Sequence, residues 1–327
     1  MSLLGRSPAV VVVALMALAA IGAAAVGVAD GSDGDGSDPI VARSGPSPGS
    51  SVVVRSDPEP APGDASGAGA TDGTGTEEGA VPSPFAELRD RPTTVFATDF
   101  TSLGDDWEIY DSPGHAGLGW RRPSAITLEP EPAAEGGSVL TITARMGTDN
   151  EEAGEIVSGG MALLRPRTYG TYTFRMRVDP DPAEVTSGVA ILWPWSNRWP
   201  EDGELDMFET WVNRSTRAPV ETNIHYLDPF AEAPYDTSDD RLFSIVHSGL
   251  DGSEWHTYRF EWRADQLTMA IDDGPVRLLS DDPLHIPDWM MVPTFQLDAF
   301  PAPGGTREDA ALDGPVVLEV DWLVVEE

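Results

Sequence analysis

From residue 93 to residue 327 the chain predicts an all-β domain built as a sandwich, and three observations carry that reading. Short runs alternate apolar and polar side chains; in residues 171–178 the alternation lasts the full length, the period of a strand with one buried face. Gly, Pro and Asp separate these runs, and Asp272-Asp273-Gly274 has the chemistry of a hairpin turn. No stretch has the period of a long amphipathic helix. Many short strands without helices fold as stacked sheets, a usual frame for a concave substrate cleft.

The elements follow in order. Residues 1–8 are short and polar apart from a few apolar positions, with a single Arg6, and residues 9–28 are apolar or small throughout. That run is long enough to span a bilayer, while Ala23-Ala24-Ala25 and Gly27-Val28-Ala29 offer small residues at the spacing of a cleavage site. Residues 1–29 are therefore a signal peptide or a membrane anchor. Either puts the rest outside the cytoplasm, secreted or tethered to the outer face of the membrane. Residues 30–92 are Gly, Ser, Pro, Asp, Ala and Thr with little to bury except Val52-Val53-Val54, the composition of a disordered linker. Strands are then expected at 139–144, 171–178, 257–262, 267–271 and 316–320, making residues 93–327 the folded domain.

Composition narrows the partners. Of 327 residues 40% are hydrophobic, ample for one large core. The formal net charge is −35, and all 20 Lys and Arg positions are Arg. Such a surface repels phosphate, which argues against nucleic acid. There is no Cys, so no disulfide staples the fold. Nothing in the chain calls for a second copy, and a monomer is expected.

Within the strand-rich region, Glu204-Leu205-Asp206-Met207-Phe208-Glu209 lies among Trp193, Trp195, Trp199 and Trp211. A regular strand would put Glu204 and Asp206 on one face and Glu209 on the other. A β-bulge at Met207-Phe208 brings Glu209 onto the face of the first two. The Cα atoms of Glu204 and Glu209 are then about 13 Å apart, four strand rises of about 3.3 Å, and leaning side chains close much of the gap. Two carboxyls about 5–5.5 Å apart are the apparatus of a retaining glycosidase. A row of three cannot all ionise cheaply, so at least one pKa rises and an acid stays protonated near neutral pH.

With these residues in view the chain resembles glycoside hydrolase family 16, the laminarinase and lichenase group with a concanavalin-like β-jelly roll. Glu204 to Glu209 match the Glu-x-Asp-x-x-Glu hallmark of its bulged branch. Tyr169-Gly170-Thr171-Tyr172-Thr173-Phe174-Arg175-Met176-Arg177 resembles the strand before the site, and Trp199-Pro200-Glu201-Asp202-Gly203 the lead-in. Trp255-His256-Thr257-Tyr258-Arg259-Phe260-Glu261-Trp262 and Val320-Asp321-Trp322-Leu323-Val324 resemble two later strands.

The resemblance implies Glu204 as nucleophile, Glu209 as general acid/base, and Asp206 as the group bonded beside the nucleophile. No cofactor is required for this chemistry. Trp193 and Trp199 become candidates for stacking on sugar rings, whose apolar faces a flat indole matches. Trp195 and Trp211 are open between cleft and core. Asn223 and His225, on one face of the next strand, are expected at the substrate or at a catalytic carboxyl, and Gln296 facing the cleft. His256 is expected to be structural. The family also implies a structural calcium ion on the opposite side, with Asp321 as a ligand and Asp99 contributing.

Two regions depart from the family pattern: the acidic loop 228–248, and the strand around Gln296, which lacks the Asn-Leu-Ala-Val-Gly-Gly run. The expectation is an extracellular retaining endo-β-glycosidase on a β-1,3- or β-1,3-1,4-glucan. The alternatives are a hydrolase or transglycosylase on a galactan or bacterial exopolysaccharide, and a non-catalytic carbohydrate-binding module.

Overall fold

Two β-sheets stack on one shared apolar core. The computed structural model describes residues 53–56, 83–210, 214–302, 304–306 and 309–327, with backbone only at 53–56. The first sheet holds eight strands: β1 (Val53–Ser56), β2 (Trp107–Ile109), β3 (Gly160–Leu163), β4 (Thr186–Pro194), β5 (Glu204–Thr210), β6 (Val220–Leu227), β7 (Asp240–His247) and β8 (Met291–Ala299). Across the sheet their order is β1-β7-β6-β5-β4-β8-β3-β2. The acidic strand β5 thus sits centrally, between β4 and β6.

The second sheet has eleven strands, with Gly170–Val178, Ser138–Met146 and the closing strand Val316–Glu326 at its middle. Its alternation is the one read from the sequence: Tyr172, Phe174, Met176 and Val178 point into the core and Arg175 and Arg177 away from it. Every expected strand is present. Leu205, Met207 and Phe208 of β5 and Phe295 and Leu297 of β8 meet this layer from the other side. Burying such side chains stabilises the fold by about 1.5–3 kcal/mol each, before the entropy of ordering them.

Two boundaries differ from expectation. The folded domain begins before residue 93: a short helix α1 (Phe85–Arg89) turns Phe85 and Leu88 onto Trp322 and Val324 of the closing strand. The Phe85 and Trp322 ring centroids are 5.8 Å apart. An apolar pair three residues apart is one helical face, enough to dock a single turn but too little to read as a helix in a polar linker. The linker also supplies β1, which pairs in parallel with β7 from Val53↔Phe243 to Ser56↔Val246. Val53 and Val54, two of the apolar residues noted in that segment, thus fall in a strand at the sheet edge. The segment 1–29 lies outside the described residues. Among those described, no helix is long and apolar enough to cross a membrane.

Candidate active site

The site begins with a bulge in β5. Against β4 the register runs Ala190↔Phe208 and then Ile191↔Asp206, skipping Met207. Against β6 it runs Asp206↔Asn223 and then Glu209↔Glu221, so three steps on β5 face two on β6. The extra residue lets Met207 and Phe208 both enter the core, and Glu209 emerges beside Glu204 and Asp206. All three carboxyls stand on the face turned away from the core, and all are buried, with 8%, 3% and 8% exposure in chain order. Gly203 enables the entry into β5. Its φ is +72°, and a Cβ there would meet the His225 carbonyl and the Pro287 ring at 3.1 Å.

The neighbouring strand supplies the partners. On β6, Glu221, Asn223 and His225 alternate onto the acid face, while Ile224 goes to the core. The Asn223 amide donates to Glu209 Oε2 at 2.5 Å, and Asn223 Oδ1 accepts from Ser244 Oγ on β7 at 2.5 Å. Of the two roles expected for Asn223, substrate or catalytic carboxyl, its amide takes the contact with Glu209. His225 lies between two carboxylates, Nε2 at 3.4 Å from Asp206 Oδ2 and Nδ1 at 2.9 Å from Asp240 Oδ2. Of the two roles open to His225, the carboxyl partner is the one the geometry provides.

The electrostatics follow from burying many acids together. Burial raises Glu204 well above the ordinary carboxylate range, with Asp206 adding to it and the His225 cation opposing; Glu204 is close enough to Asp206 for the two to share a hydrogen bond. Burial, with Asp206 next, pushes Glu209 up to about 8, against the hydrogen bond from Asn223. For His225 burial acts downward, yet Asp240 and Asp206 outweigh it and hold the imidazole charged well above its usual range. One end of the site thus retains a proton near neutral pH, and a fixed cation steadies the other.

The aromatic expectations divide. Trp193 and Trp199 lie on the acid face, in a small cluster with Tyr110, Val189, Ile191 and Val292, with Trp195 half-buried against it. The Trp199 ring lies 5.8 Å from that of His225, and Trp193 Nε1 donates to Asn197 Oδ1 at 2.8 Å. Trp211 lies outside the described residues. Gln296 aligns with Glu209 across Val189, but it is 1% exposed and packed with the Tyr110 ring over Gly160. His256 belongs to the second sheet and pairs with Asp272 at 2.7 Å, the structural role expected of it.

Asp321 does not fit a calcium ion. Its Oδ2 accepts from Arg175 at 2.5 Å and its Oδ1 from the Glu135 backbone N–H at 2.8 Å, so a guanidinium already balances its charge. Asp99 bonds to Thr101. Among the described residues no group of three or more His, Cys, Asp or Glu side chains is arranged to hold a metal ion. The two cavities of note, about 310 Å³ beside His247 and Met269 and about 220 Å³ beside Phe96 and Arg165, lie away from the acids.

Three members of the site were not anticipated: Glu221, Asp240 and Ser244. Glu221 carried a signal, two residues before Asn223 and four before His225 on an alternating strand. Asp240 and Ser244 fell inside the segment read as an acidic loop, and only the pairing of β7 with β6 reveals them.

Comparison with known proteins bears on this geometry. The sequence model of glycosyl hydrolases family 16 matches residues 132–299, just over half of the chain. No curated protein sequence matches. Among solved structures, a laminarinase from Rhodothermus marinus is 21% identical with a TM-score of 0.54, over 72% of this chain and 96% of that one. A family 16 endo-glucanase from Bacteroides ovatus, solved in complex with G4G3G-2F-DNP, is 17% identical with a TM-score of 0.54, over 70% of this chain and 99% of its own. A prokaryotic β-1,3-1,4-glucanase (lichenase) derived from a mouse hindgut metagenome is 18% identical with a TM-score of 0.51, over 71% and 98%. At these identities the likeness is one of fold, a shared β-jelly roll. The family assignment rests on the sequence match, and by it this protein belongs to glycosyl hydrolases family 16 and is a glycoside hydrolase.

Proposed function

We propose that the protein is an endo-acting, retaining β-glycosidase whose substrate is a β-1,3- or β-1,3-1,4-glucan. The observation that carries this reading is the bulge that brings Glu204 and Glu209 to one face with Asp206 between them. The fold neighbours named as a laminarinase, an endo-glucanase and a lichenase support the choice of glucan. Charge supports it too. A net charge of −35, and a site in which the His225 cation is already held by Asp240 and Asp206, disfavour sulfated or uronic polymers over neutral ones.

In this mechanism Glu209, protonated because burial and Asp206 raise it, gives its proton to the leaving glycosidic oxygen. Glu204 attacks the anomeric carbon as that bond breaks and forms a glycosyl-enzyme. Asp206, held by His225, stands beside Glu204 as the group bonded next to the nucleophile. Glu209, now a carboxylate, removes a proton from water, which attacks the anomeric carbon and restores the β configuration. Trp193 and Trp199 form the apolar floor on which a pyranose stacks. The enzyme acts as a monomer outside the cytoplasm, secreted or tethered through residues 9–28.

The test is a reducing-end assay of the full chain on laminarin and mixed-linkage glucan, with NMR of the first product. Wild type should release sugar in the β configuration, and Glu204→Gln should lose at least about 10⁴-fold in kcat while still binding the polymer. Prompt appearance of the α-anomer, or near wild-type turnover by Glu204→Gln, would remove the mechanism.

A further inference from the structure

The segment that departs from the family pattern ends in β7, and the first residue of that strand reaches the site. Asp240 is in register with Leu227, two positions along from the Leu242↔His225 pair, so it meets His225 on the diagonal. Its Oδ2 is 2.9 Å from His225 Nδ1, and His225 Nε2 is 3.4 Å from Asp206 Oδ2. The imidazole is 6% exposed, and each of its nitrogens faces a carboxylate. A neutral imidazole has one N–H and one lone pair. Here the lone pair would be aimed at a carboxylate oxygen inside the protein, a contact that a second proton on the ring relieves.

Resting on the glycosidase reading above, we propose that Asp240 is a positioning residue for the nucleophile: acting through His225, it keeps the imidazole oriented and doubly protonated, and that cation lets Glu204 ionise beside Asp206. The groups around His225 divide by element. On β5, Asp206 meets the far nitrogen, Glu204 is in register with His225, and the cation opposes the protonation of both Glu204 and Glu209. On β6 the neighbours on the same face are Asn223, which donates to Glu209, and Glu221 beyond it. On β7 the residue opposite His225 is the apolar Leu242. Next to it Arg241 donates to the Asp240 carbonyl at 2.7 Å and pairs its charge with Asp228, which fixes the backbone of Asp240 and leaves its carboxylate to His225. The lead-in before β5 presents the Trp199 ring. Burial is the largest influence on His225 and acts to strip its second proton; Asp240 is the first group that opposes it. Without Asp240 burial prevails, the ring turns neutral, and Glu204, already raised by burial and Asp206, loses the cation that held it back.

The test reads the imidazole directly. The five histidines of the full chain, labelled with ¹⁵N, are titrated by NMR from about pH 5 to about pH 10, with the His225 ring assigned from its own backbone resonances. In wild type both ring nitrogens should carry protons at about pH 8. In Asp240→Asn, whose amide oxygen still accepts from Nδ1, the midpoint should fall by at least about one unit, with the remaining proton on Nδ1. Activity should follow the ring. On laminarin Asp240→Asn should lose about tenfold or more in kcat/KM at about pH 8, and the loss should shrink as pH falls through the lowered midpoint and the cation returns. A purely structural role would give a loss that is the same at every pH. That result would overturn the proposal, as would a singly protonated His225 in wild type at about pH 8, or an unmoved midpoint in folded Asp240→Asn. The wild-type spectrum depends on no variant, and the titrations need no substrate. A wild type inactive on every glucan would sink the glycosidase reading, and the titrations would still decide whether Asp240 keeps His225 charged.

Discussion

At the scale of single residues, the site trades stability for a poised proton. Glu209 has its pKa raised to about 8 by burial first and Asp206 second, against about 4.3 in an unfolded chain. A carboxyl shifted upward on folding contributes its full stability below the unfolded value and loses it as pH rises through the folded one. Between about pH 4.5 and pH 8 charging Glu209 in place therefore costs the fold several kcal/mol, at about 1.4 kcal/mol per unit. Glu209→Gln keeps an acceptor for the Asn223 amide and removes that charge. Its melting temperature should exceed that of wild type by about 5 °C or more at pH 8, and the gap should close toward pH 4.5. Calorimetry at the two pH values checks this; an equal gap at both would mean that Glu209 is not the group responsible.

At the scale of the element, the bulge in β5 solves a counting problem. The acids at positions 204 and 209 are an odd number of residues apart, and a strand alternates faces with period two. One unpaired residue restores parity, and Met207 is that residue, buried beside Phe208. Deleting Met207 should thus leave Glu204, Asp206 and Glu209 on one face of a regular strand, with the outer pair still about four rises, or about 13 Å, apart at Cα. Activity should fall by about 10–100-fold through misplacement of the pair without being abolished. Inserting one alanine after Met207 also makes the count even, but a regular strand then holds the two acids six rises, or about 20 Å, apart. That is too far to flank one glycosidic bond, and activity should be abolished. A kinetic comparison of the two variants decides the matter: equal loss in both would refute the role given to the bulge.

At the scale of the whole molecule, the second sheet is closed by charge pairs where an ion was expected. Arg175 reaches Asp321 on the closing strand, and the guanidiniums of Arg175 and Arg177 lie 4.6 and 4.7 Å from the Trp255 ring. A cation supplied covalently cannot be removed by a chelator. EDTA should leave the melting temperature unchanged and added calcium should not raise it, whereas Arg175→Ala should lower it by several degrees because Asp321 is left buried without its partner. A calcium-dependent rise of several degrees in wild type would reinstate the ion. At the other end of the sandwich Arg121 crosses to Asp298 of β8 at 2.5 Å, buried and beneath the Tyr110 ring. That pair joins the two sheets close to Gln296.

Much of this was legible along the chain because it depends on local order. The period of two in residues 171–178, the breakers between runs and the Glu204 to Glu209 pattern are properties of neighbouring residues, and they determined the sheets, the acid face and the need for a bulge. What only the tertiary structure decided are the contacts across strands. Asn223 proved to hold Glu209, Asp240 emerged from an apparent loop to hold His225, Arg175 balances the charge of Asp321, and Phe85 and Leu88 extended the domain into the linker. Each of these joins residues whose separation is set by strand register and sheet order. A sequence read in one dimension names the groups that must be buried, and the fold alone chooses which of them are buried together.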